Sequence, residues 1–266
     1  MTDTGSNPSR TLETVSCACD VIRALNELNG AGVTELASHL SISKSSAHSY
    51  LNTLLEKKFV VKEQSTYRLS LEFLYLGNTV RHRNVLFAHG QSVAENLAAE
   101  SGEYVHLMCE QHGLERNVYK AKGELAVGEA YHVSKEQHAD YLHFTSTGKA
   151  VLANLPRSRV EEIIDEYGLV AKTSNTITDR DSLFEELSTI LEQGYAFNNE
   201  EEIVGIRAVG APIQDAAGQL HGAISVSGPA NRLTDEFYNE ELPKLVTEKA
   251  NVIEANINMS DTELSL

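Results

Sequence analysis

The chain has no tryptophan, and only three cysteines and five prolines in 266 residues. Three cysteines make no disulfide framework, and Cys17 and Cys19 are too close in sequence for an ordinary bridge. This usage fits a reducing, cytoplasmic setting. No run approaches the roughly 20 apolar residues that span a bilayer, so no membrane partner is expected. The opening residues MTDTGSNPSR lack the apolar stretch of a secretory signal. Basic side chains are scarce too: 22 Lys and Arg stand against 38 Asp and Glu, a net charge of −16. That balance excludes a general nucleic-acid coat protein. The deficit is uneven, since residues 1–80 hold 7 basic and 8 acidic side chains and residues 81–266 hold 15 and 30. A nearly neutral head on an acidic body is compatible with DNA binding. The carboxylate excess also suits a salt-rich cytoplasm.

The most informative stretch is Ser41–Lys58, SISKSSAHSYLNTLLEKK. Ala47, Tyr50, Leu51, Leu54 and Leu55 recur at the spacing of a buried helical face. Ser45, His48, Ser49, Asn52 and Glu56 fall on the other side, and Ser43 suits the N-cap. Small polar side chains on a helix backed by a Leu seam are what a major-groove reading helix needs. Alone, such a helix is more often an ordinary surface helix. Its neighbours favour the functional reading.

Val15, Cys19, Ile22, Leu25 and Leu28 predict a preceding helix that stops near Asn29-Gly30. Thr34 is placed to cap a short helix over Glu35–Leu40. Two short helices joined by a tight turn give helix-turn-helix geometry. Phe59–Lys62 and Tyr67–Ser70 then predict a hairpin around Glu63–Thr66. A hairpin directly after a reading helix is a wing. Its Lys62 and Arg68, with Lys44, Lys57 and Lys58, are phosphate candidates. Each lysine is about as readily a solvated surface charge.

The expected organisation is a disordered tail (1–11), a winged helix-turn-helix domain (12–70), a linker region (71–100) whose helix is Val85–Glu100, a sensor domain (101–258) and a C-terminal tail (259–266). Paired strands at Tyr104–Glu110 and Leu114–Ala121 open the sensor domain, and strands at Tyr195–Asn199, Gly205–Ile213 and Leu220–Ser227 follow. Helices are expected over Thr147–Leu155, Arg157–Tyr167 and Asp181–Gln193, with a closing helix over Leu233–Asn258 bent or divided at Pro243. Hairpins with helices between them make an α+β class.

Two motif groups in this order, SISKSSAHSYLNTLLEKKFVVKE and HFTSTGKAVLANLP followed by GYAFNNEEEIVGIRAVGAPIQDAAGQLHGAISVSGPANRL, resemble the IclR-type transcriptional regulators. The resemblance covers about residues 12–257. It implies a winged helix on a GAF-like effector-binding domain, acting as repressor or activator of a catabolic pathway. It also implies a homodimer or dimer of dimers on palindromic double-stranded DNA. The reading residues would be Ser43, Lys44, Ser45, Ser46, His48, Ser49 and Asn52, with Lys62 and Arg68 of the wing. The effector, an organic, sugar or aromatic acid, would meet Ser146 and Thr147 at a helix start, Ser225 and Ser227 on a strand, and Asn198 and Ala208. Three positions depart from the family habit. Asn198 stands where an acid is usual, Ala208 where a cysteine is usual, and Ser49 where a basic residue is frequent.

No catalytic constellation is expected. Ser146-Thr147-Gly148-Lys149 imitates both an S-x-x-K string and the end of a phosphate loop, but the further elements of either are missing. His106, Cys109, His112, His132, His138 and His143 match no tight metal-ligand spacing, so neither metal nor cofactor is expected. The competing readings are a winged-helix protein-interaction module and, more remotely, an enzyme on the sensor-like domain.

Overall fold

The computed structural model describes residues 11–128 and 139–263. The expected tails at 1–11 and 259–266 fall partly outside those residues. The chain forms two compact units, residues 1–80 and 81–266.

In the first unit α1 (Glu13–Glu27), α2 (Val33–His39) and α3 (Lys44–Glu56) precede a hairpin of β1 (Val60–Glu63) and β2 (Thr66–Leu69). The core is Val21, Ala24 and Leu25 of α1 against Leu36, Ala37, Ala47, Leu51 and Leu54. The buried stripe of α1 therefore starts later than its apolar spacing suggests, and Val15 and Cys19 are exposed. Leu55, expected inward on α3, also lies at the surface. Gly32, not Thr34, precedes the first residue of α2, and no side chain caps that helix. Gly30 has φ +99°, and a Cβ there would meet Arg68 Cγ at 2.8 Å. That close approach lets Ala31 pair with Tyr67 through two backbone hydrogen bonds of 3.0 and 2.9 Å, adding a third short rung to the wing. Residues Gln64 and Ser65 make the hairpin turn, so pairing extends to Glu63 and Thr66.

Residues 71–84 contain a helix the sequence reading did not assign, α4 (Glu72–His82), with no buried residue. The expected linker helix is instead a core element of the second unit. Helix α5 (Val85–Ser101) buries Leu86, Phe87, Val93, Ala94, Leu97 and Ala98. Asn84 caps it by accepting from Phe87 N, and Gly102 ends it in the left-handed region. The linker is therefore shorter than 71–100.

The second unit is built on a five-stranded antiparallel sheet. Its strands are β3 (Tyr104–Gln111), β4 (Leu114–Lys122), β5 (Ala196–Asn199), β6 (Ile206–Gln214) and β7 (Leu220–Pro229), in spatial order β4-β3-β7-β6-β5. Alternation across the strands separates two faces. Val105, Leu107, Val209, Ala211, Ile224 and Val226 pack with α5 and the closing helix α9 (Leu242–Glu263). The second apolar cluster joins α6 (Ser146–Ala153), α7 (Arg157–Tyr167) and α8 (Arg180–Gln193). Pro243 lies in the first turn of α9, where its missing N–H is harmless, after a π-helical turn at Phe237–Glu241.

Candidate functional site

Helix α3 begins as its sequence demands. Ser43 accepts from Ser46 N at 3.0 Å, and the two hydroxyls lie 2.8 Å apart. Lys44, Ser45, His48, Ser49 and Asn52 are exposed together on one side. The hydroxyls there turn back on their own helix: Ser49 donates to Ser45 O at 3.0 Å and Thr53 to Ser49 O at 2.9 Å. Asn52 Nδ2 lies 3.2 Å from His48 Nδ1. The wing divides its two cations. Lys62 is exposed, with Nζ 5.1 Å from the centre of the Tyr67 ring. Arg68 is held by Asn29 O and lies 3.4 Å from Glu63 Oε2, so its guanidinium serves the turn between α1 and α2.

In the second unit, strand register assembles most of the other predicted residues. Asn198 pairs with Ala208, Ala208 with Ser227, and Ser227 with Tyr104. One step along, Gly210 pairs with Ser225 and Ser225 with His106. Directly paired residues share a face, as do residues two apart, so both rows look the same way. A Cβ on Gly210 would lie 2.8 Å from Ser146 C and 2.9 Å from Thr147 N. The missing side chain lets the start of α6 rest on the rows that carry Ser225 and Ser227. Tyr104 and His106 belong to these rows and were not anticipated. The signal was present, since both share the parity of Ser225 and Ser227 once β3 and β7 pair.

The start of α6 is organised by a residue the sequence reading missed. Glu115 is 1 % exposed and accepts from Thr145 Oγ1 at 2.6 Å and from the Thr147 hydroxyl. Thr145 is the N-cap and accepts from Gly148 N at 2.9 Å. The Thr147 hydroxyl is thus engaged by the protein. The amides of Ser146 and Thr147 have no acceptor within the helix, as its geometry requires. Among the described residues, no hydrogen bond engages the Ser225 or Ser227 hydroxyl.

Asn198 is pinned on both sides. Its Nδ2 donates to Phe144 O at 2.8 Å, and its Oδ1 accepts from Glu201 N at 3.0 Å. The amide nitrogen therefore gives one hydrogen to backbone, leaving the other. Beneath it Lys149 Nζ meets Glu201 Oε1 at 2.7 Å and Glu186 Oε1 at 2.9 Å. Burial pushes the Glu201 carboxyl above its ordinary range, against the opposing pull of Lys149. Burial likewise lowers the His143 imidazole, which lies 3.0 Å from Val170 O. The string that imitated two catalytic motifs is thus a helix start with a buried lysine behind it. Among the described residues no group of three or more His, Cys, Asp or Glu could hold a metal ion. His132 and His138 lie outside them.

Comparison with known proteins matches both parts of the chain. Residues 14–64 match the IclR helix-turn-helix domain, and residues 78–255 match the bacterial transcriptional regulator IclR C-terminal. The fold and these matches define a helix-turn-helix transcriptional regulator with an effector domain. The chain belongs to the IclR family. It is 35% identical over 249 residues to a probable HTH-type transcriptional regulator, ArcR, of Halobacterium salinarum, covering 93% of this chain and 95% of that one. It is 29% identical over 220 residues to the transcriptional repressor IclR of Escherichia coli, covering 80% and 79%. The crystal structure of Thermotoga maritima IclR superposes with TM-score 0.73 at 28% identity, covering 93% and 99%. An IclR homolog from Microbacterium hydrocarbonoxydans, solved with 4-hydroxybenzoate, shares the fold with TM-score 0.78 at 17% identity, covering 92% and 99%.

Proposed function

We propose that this regulator binds a small oxygen-rich effector beside the start of α6, against the strand rows carrying Ser225 and Ser227. The observation that carries the reading is the approach of α6 to Gly210, which brings two open backbone amides over two unengaged hydroxyls. Amides at a helix start favour a carboxylate or another oxygen-rich group. A thermal-shift screen of metabolites on the full chain tests this. A ligand that raises Tm in the wild type should lose that effect in Ser225→Ala and Ser227→Ala. Retention in both variants would place the effector elsewhere.

The same reading makes the protein a cytoplasmic homodimer, or dimer of dimers, on a palindromic operator of a catabolic pathway. Leu71, Leu74, Tyr75 and Val80 are 60–81 % exposed on and beside α4, an apolar surface a single chain leaves uncovered. A second copy would cover it. Leu74→Glu with Tyr75→Glu should yield a monomer by light scattering; an unchanged mass would remove α4 from the interface. The acidic composition and the Halobacterium relative support a salt-rich cytoplasm.

A further inference from the structure

We propose that His48 and Asn52 act as one reading unit, in which His48 orients the Asn52 carboxamide to recognise an adenine. This rests on α3 being the DNA-reading helix. Asn52 Nδ2 lies 3.2 Å from His48 Nδ1, one helical turn away, and both side chains are exposed. An amide nitrogen can only donate, so Nδ1 accepts and the imidazole proton sits on Nε2.

The consequence follows from the shape of a carboxamide. In the proposed unit the amide hydrogen pointing away from Oδ1 is the one given to His48. The other hydrogen and Oδ1 remain side by side. That donor–acceptor pair matches adenine N7 and N6 in the major groove, the bidentate contact Asn makes best. Free in solution the amide could turn over and present the reverse order. Donation to His48 selects one orientation before DNA arrives, which reduces the ordering cost of binding.

The neighbouring side chains strengthen the assignment by what they cannot offer. Ser49 and Thr53 donate their hydroxyl hydrogens to their own helix, and Ser43 and Ser46 face each other at the cap. Each of those is left mainly as an acceptor or is already paired. Lys44 is a mobile charge suited to phosphate. The His48–Asn52 pair is thus the fixed donor–acceptor group on this surface, and it compensates for a head with little positive charge. His48 is a positioning residue; Asn52 makes the contact.

The test is selection of binding sites from random double-stranded DNA, followed by affinities for the selected site and its single-base variants. The wild type, Asn52→Ala, His48→Leu, His48→Gln and the double variant Asn52→Ala/His48→Leu are compared, all on exposed positions. Asn52→Ala should erase preference at one adenine in each half-site, by roughly tenfold to hundredfold. His48→Leu should weaken preference at that same adenine, and the double variant should be no worse than Asn52→Ala. His48→Gln, whose Oε1 can still accept from the amide, should restore much of the preference. The proposal is overturned if His48→Leu affects a different base or none, if the two losses multiply, or if Gln and Leu behave alike. Failure of the wild type to select any site would instead overturn the underlying assignment of α3, and this pair with it.

Discussion

Lys149 Nζ lies 2.7 Å from Glu201 Oε1, and the lysine side chain is 1 % exposed. The pair joins the first turns of α6 to the loop after β5, the two segments that flank Asn198 and the proposed effector position. Removing one partner of a buried pair leaves the other charge uncompensated, at about 3–5 kcal/mol. Lys149→Met should therefore lower unfolding stability by that order in chemical denaturation. A loss under about 1 kcal/mol would mean that water screens the pair.

Glu201 also sets a pH dependence. Its folded pKa is raised above the ordinary 4.5, first by burial and only partly offset by Lys149. The folded state then holds the proton to higher pH than the unfolded chain does. The stability this confers is complete below the ordinary value and is lost as pH rises through the raised one. Relative to Glu201→Gln, the wild type should lose stability from about pH 4.5 upward and then level off. Parallel stability curves across that window would contradict the assignment.

The Asn198 amide donates to Phe144 O. Asn198→Asp would set a carboxylate against that carbonyl, with no donor between them. At neutral pH a loss of about 1–3 kcal/mol is expected, the scale for an unmade buried hydrogen bond. Unchanged stability would show that the segment before α6 relaxes freely, and would return position 198 to a purely ligand-facing role.

Lys44 is exposed at the start of α3 and carries one of the head's few positive charges. Lys44→Ala should weaken binding to all DNA sequences alike and lower the log–log salt slope by about one unit. A loss confined to one sequence would make Lys44 a base reader instead.

The sequence revealed more where chemistry is local. The Ser43 cap, the face of α3, the His112-Gly113 turn and the strands of the sensor sheet all follow from short-range pattern. Failures came where distant segments decide. Val15 and Leu55 have helical spacing but meet no core, since only packing distinguishes an apolar stripe that is covered from one that is not. Val85–Glu100, whose inward positions include small residues such as Ala88 and Ala98, reads from sequence as a linker helix. In α5 the buried Gly90 and Ala98 instead allow close packing, and a Cβ on Gly90 would lie 2.8 Å from Leu107 Cδ1. Glu115 escaped notice because its threonine partners lie about 30 residues away and only β4 brings it to them. Arg68 looked like a free wing cation, and only the fold brings Asn29 within its reach.

The central claim is that the head of this chain recognises a specific DNA site. Footprinting across the promoters next to its own gene, from low to molar salt, tests it most directly. The account predicts protection of a palindromic site by the wild type, weakened by Asn52→Ala while the protein stays folded. No protected site, with or without effectors found by thermal shift, would contradict it.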